Sequence, residues 1–313
     1  MRNVVMLGVL GLAVSLGAAS ADADVLYELV VRTSDSRVRG MVALEGKVTM
    51  SVKGDRMRQE VSGILTIVTR GGARYRKPRH RVTLDQLDRG LRYEIDLDAG
   101  IYVEAPFASV RQQHEEEIAA AEKALGVNPT GPLPSLIVSV HRTGKRQLVH
   151  GRECEQVVLK STREVVLAAT RGRGPSEQTP SRFSLIFDLC IAPDSALMRE
   201  ARVIEDRVAD LTGMRGALEE RQVRIFGYRR DILAAFELMH RLMEHEQHNL
   251  GGVPIRWEWV FVGPKGDQPQ VTLFHHWGEV TRIEDRVLDA SLFDIPPGLK
   301  REQREVAAGG RRW

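Results

Sequence analysis

A two-residue alternation of apolar and polar side chains constrains this chain more than any other feature in it. Val48, Met50 and Val52 alternate with Thr49, Ser51 and Lys53, the signature of a strand with one face in a core. Gly54-Asp55 offers turn chemistry, and Met57-Arg58-Gln59-Glu60-Val61 returns alongside. Leu26 to Val31 and Ile64 to Thr69 read as further strands, the second ended by Gly71-Gly72. Tyr93 to Leu97 and Ile101 to Glu104 flank Asp98-Ala99-Gly100 as a short hairpin. The region from Val25 to Pro106 is therefore expected to be an antiparallel meander.

Strand-like runs recur at Leu136 to Arg142, Cys154 to Lys160, Phe183 to Ile191, Ile255 to Val262 and Gln270 to Ile283. Helical spacing interrupts them in three places. Ser109 to Leu125 is one. A second follows Pro193, with Asp194 the expected N-cap and Leu197, Ala201, Ile204, Val208 and Leu211 as its apolar stripe. A third spans about Asp231 to His248, with Ile232, Phe236, Met239 and Met243 inward and Gly251-Gly252 at its end. Asn128 to Pro134 and Ala169 to Arg182 are rich in loop residues. The expected fold class is α+β: a curved antiparallel β-sheet with helices packed on one face.

The N-terminus carries an export signal. Met1-Arg2-Asn3 is a positive start, Val4 to Ala19 is almost wholly apolar, and Ala19-Ser20-Ala21 is a small-x-small cleavage pattern. A membrane anchor would need roughly 20 apolar residues with polar flanks on both sides. Residues 1–21 are thus expected to be a cleavable signal peptide. No Cys lies near the cut, so a lipid anchor is not expected, and the mature chain is expected to be soluble and periplasmic. Residues 22–299 are expected to form one β-rich domain with a helical insertion over 194–249, and 300–313 a basic disordered tail. The 45 basic and 42 acidic residues are mostly interspersed, so the balance implies no polyanion partner and no nucleic acid.

Cys154 and Cys190 are the two cysteines. In an oxidising compartment they are expected to form one bridge; the alternative is two buried thiols.

His240, Glu244 and His248 follow an i, i+4, i+8 spacing on the third helix, where a metal could be chelated. H-E-x-x-H is absent, since His245-Glu246-Gln247-His248 is one residue short, and a solvated polar face is the preferred reading. His275-His276 lies in a strand, where neighbours face opposite sides and cannot readily chelate together. Glu94, Asp96 and Asp98 share a strand face, read as its wet side, with Ile95 and Leu97 pointing inward. Arg70, Arg74, Arg76, Lys77, Arg79, His80 and Arg81 form a run without one acid. It suits an anionic membrane surface or an acidic partner, or else a charged edge hairpin. Gly172-Arg173-Gly174-Pro175 lacks the strand-turn-helix context of a phosphate cradle. There is no G-x-S-x-G, no P-loop and no Cys/His nucleophile pattern, so no catalytic residue and no cofactor is assigned and an enzyme is not expected.

Several segments together resemble an uncharacterised exported bacterial family similar in fold to the lipoprotein carriers of the LolA and LppX type. They are Val52 to Arg58, Tyr93 to Leu97, Thr143-Gly144-Lys145 with His150 to Glu155, Gly252 to Ile255, and the closing run Leu288 to Gly298. The resemblance implies a half-barrel of antiparallel strands whose concave face is covered by helices and, in the carriers, holds acyl chains. It implies no site residue here.

Three readings result. The first is a periplasmic protein carrying or sensing a lipid or lipoprotein in an apolar half-barrel cavity. The second is an envelope protein-interaction module whose cavity is filled. The third, ranked last, is a metal-dependent enzyme using the His240 helix.

Overall fold

The computed structural model describes residues 24–34, 42–68, 74–124, 138–166, 180–213, 239–240, 243, 245–247, 249–265 and 268–303. The expected signal peptide therefore lies outside the described residues. So do Arg70, Glu244, His248 and the tail from 304 onward.

Two meanders make up the chain. The first comprises β1 (Val25–Ser34), β2 (Val42–Lys53), β3 (Arg56–Val68), β4 (Arg74–Gln86), β5 (Leu91–Asp96) and β6 (Ile101–Pro106). The helix α1 (Phe107–Ala124) follows. The second comprises β7 (Val138–Val149), β8 (Arg152–Val166) and β9 (Pro180–Ala192), then the helix α2 (Ala196–Thr212), then β10 (Val253–Lys265) and β11 (Gln268–Asp285). A 3₁₀ turn (Ala290–Phe293) and the short strand β12 (Lys300–Arg301) close the chain.

The described strands join one 12-stranded sheet, in the order β12-β6-β5-β4-β3-β2-β1-β11-β10-β9-β8-β7. β1 sits near its middle, antiparallel to β2 on one side and β11 on the other, so it joins the two meanders. The sheet is mixed rather than wholly antiparallel, because β12 runs parallel to β6. That contact also takes Lys300 and Arg301 out of the segment expected to be a disordered tail.

The sheet is open and curved. In a flat sheet, β8 and β11 would stand about 14 Å apart, three strand spacings. Instead Arg152 donates to the Ile283 carbonyl at 3.2 Å, and His150 Nε2 meets Glu279 Oε1 at 2.7 Å. Arg256 of β10 likewise reaches Gln147 of β7.

Glycines let side chains lie flat on the sheet. A Cβ on Gly278 would fall 2.2 Å from the Trp257 ring, and one on Gly263 would fall 2.4 Å from Phe183. Each missing side chain is the space its aromatic neighbour occupies.

The core changes face across the sheet. Met50 and Val52 of β2 share a face with Met57 of β3, which pairs with Val52 on one side and Asp85 on the other. Yet the buried apolar residues of β4 are Val82 and Leu84, which pair with Glu60 and Arg58 and so point the other way. Val82 and Leu84 cluster with Tyr93 and Ile95, against Ile295 of the closing run and Leu299 just beyond it. Leu26, Leu288 and Phe293 form a smaller cluster, and Gln86 and Arg58 donate to the Phe293 and Leu292 carbonyls. The closing run is thus the cover of β4 and β5. On the opposite face of β4 and β5 the buried Asp85 pairs with Arg92 in a two-pronged contact at 2.7 and 3.0 Å.

α2 covers the apolar cluster of β1 to β3. Its cap is Ser195 rather than the expected Asp194: Ser195 Oγ accepts from Met198 N, while Asp194 pairs with Arg199 and Arg202. Gly213 closes it at φ 69°, donating to the Ala209 and Asp210 carbonyls. Met198, Ala201, Ile204, Val208 and Thr212 are the buried residues, and Leu211, expected in the stripe, is exposed. The stripe is rotated because sheet contacts, not apolarity alone, choose the inward side. Tyr27 of β1 donates to Glu205 Oε1 of α2 at 2.6 Å. Burial pushes the Glu205 carboxyl up and the Tyr27 phenol well up.

Candidate functional site

The second meander holds an apolar core cluster of its own. Alternate residues of β8 and β9 face it: Val157 and Leu159 opposite Leu189 and Phe187, then Ser161 opposite Leu185 and Arg163 opposite Phe183. Phe261 and Phe274 continue it onto β10 and β11, and Phe183 stacks on Phe261 at 5.6 Å. Met239 and Met243, both fully buried, lie over this face from helical positions between 239 and 249.

One row of rings crosses this face. Phe187, Trp259 and His276 are successive cross-strand partners on β9, β10 and β11. Trp259 lies 5.0 Å from Phe187 and 4.9 Å from His276, centroid to centroid. His240 comes in edge-on, 4.8 Å from Trp259 and 5.5 Å from Phe187. At the end of the row His276 Nδ1 and Thr33 Oγ1 of β1 share a hydrogen bond of 3.0 Å. Burial, helped by neighbouring His275, lowers the His276 pKa to about 4.

His240 is therefore a ring of the core, 1% exposed, and not part of a solvated polar face. Glu244 and His248, the other two candidate ligands of the disfavoured metal reading, lie outside the described residues. Among the described residues no group of three His, Cys, Asp or Glu side chains is placed to hold a metal ion. His275 and His276 do face opposite ways: His275 meets Glu258 at 2.7 Å while His276 is buried.

Four polar atoms on β8 and β10 are buried without a hydrogen-bond partner: Ser161 Oγ, Arg163 Nη1, Trp257 Nε1 and Trp259 Nε1. Most buried polar groups are paired, so four in one region call for an account. Ser161 is fully buried. Burial lowers the Arg163 pKa. Sequence reading ended the strand at Lys160 and missed both residues. The signal was there, since Val157, Leu159, Ser161 and Arg163 continue one period-two series.

The basic run occupies β4. Its side toward β5 is paired from Arg81 to Gln86, so Arg74 to Pro78 form an edge without a partner strand among the described residues. Arg76 and Lys77 are exposed; Arg81 pairs with Asp96 at 2.7 Å and His80 with Glu60 at 2.6 Å. Asp98 accepts from the His80 backbone N–H, and Ile95 points into the core.

Cys154 and Cys190 are joined in a disulfide between β8 and β9. Both are buried beside α2, in the cluster of Met198 and Ala201. Next to Cys154 is an open cleft of about 310 Å³, lined by Arg142, Arg146, Glu153 and Glu155 and by Gly251 and Gly252. No described helix is long and apolar enough to cross a membrane.

Fold and site define a β-rich chain with an open, curved sheet and a ringed apolar face. Among solved structures it is similar to a beta-barrel-like protein of domain of unknown function DUF1849 from Brucella abortus. The identity is 9% and the TM-score 0.22, covering 85% of this chain and 98% of that one. No family model matches the chain, and no curated protein does.

Proposed function

We propose that this is an exported, periplasmic, non-enzymatic binding protein that takes the acyl chain of a lipid or lipoprotein against the apolar face of β8 to β11. One observation carries the reading: this face is almost wholly aliphatic and aromatic, and methionines pack against it. Phe183, Leu185, Phe187, Phe261 and Phe274 are each 0% exposed, with Met239 and Met243 above them. Thioether side chains are unbranched and adaptable, so a methionine cover can be replaced by a hydrocarbon tail at little cost in packing. The unpaired polar atoms on β8 and β10 fit the same picture, as groups awaiting a ligand. The disulfide suits an oxidising compartment.

The test is native mass spectrometry of protein purified from a cell envelope. Adducts with acyl-chain masses are expected, lost on delipidation and regained with added lipid. Protein that emerges bare and takes up no lipid refutes the reading.

The free β4 edge favours a second reading, an envelope interaction module with a filled interior. Arg76 and Lys77 flank unpaired backbone groups there, a place for an acidic strand to add. Capture of an acidic partner by lipid-free protein, abolished by Arg76→Glu with Lys77→Glu, supports it.

A further inference from the structure

We propose that Ser161 and Arg163 form the head-group site of the bound amphiphile, and that the head they take is a carboxylate. The inference rests on the acyl-binding reading and names the class of ligand for it: a long-chain monocarboxylic acid.

The geometry sets the two residues on one face, one inward position apart on β8, about 6.6 Å along the strand. Each has a core residue beside it on β9, Leu185 for Ser161 and Phe183 for Arg163, and Val138 of β7 pairs with Ser161 on the other side. Ser161 is 0% exposed; among the described residues neither its Oγ nor the buried Arg163 Nη1 has a hydrogen-bond partner. A buried guanidinium edge facing aromatic and aliphatic neighbours is costly unless an anion meets it. No described carboxylate does so. A carboxylate matches what is offered, because a guanidinium presents parallel N–H donors and a hydroxyl adds one more. On the same series of inward positions, Leu159 and Val157 are apolar and fully buried, the environment a tail would take.

The test uses the full-length mature protein, delipidated, with palmitate and its methyl ester as probes in equilibrium binding. The wild type is expected to prefer the acid by about tenfold or more, as expected for charge-assisted hydrogen bonds. Arg163→Met keeps the length and apolar stem, and should lose that preference while still binding the ester. Ser161→Ala should lose a smaller part of it. Equal affinity of the wild type for acid and ester, or an unchanged preference in Arg163→Met, overturns the head-group assignment alone. Binding of neither probe by the wild type overturns the acyl-binding reading beneath it. Thermal melting of ligand-free protein guards against a structural explanation. Arg163→Met should melt no lower than the wild type, since it removes a half-buried guanidinium whose buried Nη1 has no hydrogen-bond partner among the described residues; a lower melting temperature assigns Arg163 a structural contact and overturns the proposal.

Discussion

His276 should make this protein sensitive to mild acid. Its ring is wedged between Trp259 and the Thr33 hydroxyl, and burial lowers its pKa from the ordinary 6.5 to about 4. The folded chain therefore holds the proton less tightly than the unfolded chain does. Between those two values the unfolded state binds more protons, so stability rises with pH and is lost as pH falls from 6.5 toward 4. At 1.36 kcal/mol for each pH unit of separation, the full loss is about 3 kcal/mol. A pH titration of the wild type alone cannot isolate this, because Glu205 acts in the opposite sense over part of the range. The informative quantity is the difference between the wild type and His276→Asn. The amide can still meet Thr33 near the place of Nδ1 but does not titrate. The smaller side chain costs stability by a cavity term that is the same at every pH. Urea denaturation at a series of pH values should give a constant difference above 6.5, shrinking by about 3 kcal/mol on the way to 4. A difference that stays flat across that range refutes the assignment of a buried, neutral imidazole.

Other predictions follow from single contacts. Glu205 has its carboxyl pushed up by burial, so its folded-state proton is held more tightly than in the unfolded chain and stability falls as pH rises through the folded value. Glu205→Gln keeps an acceptor for Tyr27; it should be more stable than the wild type in mildly alkaline urea melts, with the gain vanishing in acid. Reducing the Cys154–Cys190 bridge, whose cysteines are 36 residues apart, should cost about 4 kcal/mol in the chain-entropy model. Oxidised and reduced protein compared by denaturant midpoint measures it, and coincident midpoints contradict it. Gly278→Ala should displace the Trp257 ring and cost about 1–3 kcal/mol, visible as a shift in tryptophan emission together with a lower melting temperature.

Local patterns carried the hairpins into the sequence, and long-range packing kept the rest out of it. Val48, Met50 and Val52 announce β2, and Gly54-Asp55 announces its turn, because each signal lies within a few residues of its effect. The reversal of the buried face at β4 has no such local mark. Val82 and Leu84 alternate like any strand, and only the arrival of Ile295 and Leu299 decides which face they cover. The same holds for His240. Spacing placed it on a helix, but Phe187 and Trp259, far off in sequence, determine that it is core. Ser161 and Arg163 were legible as inward positions once β8 is allowed to run to Val166; what could not be read is that, among the described residues, no group hydrogen-bonds to Ser161 Oγ or Arg163 Nη1.

The pairing of β1 with β11 has a consequence for the order in which the molecule can be assembled. Val25 pairs with Asp285 and Ser34 with His275, so a strand made at the start of the chain waits for one made near its end. Until then one edge of β1 exposes a row of backbone donors and acceptors, the kind of edge that recruits foreign strands. Contacts of such sequence separation also slow folding, since loop closure must precede them. The closing run compounds the delay, because Leu26 finds its cover only when Leu288 and Phe293 are present. Shortening the chain at its C-terminus through β11 would thus strip β12 from one edge and also open the sheet beside β1, near its centre.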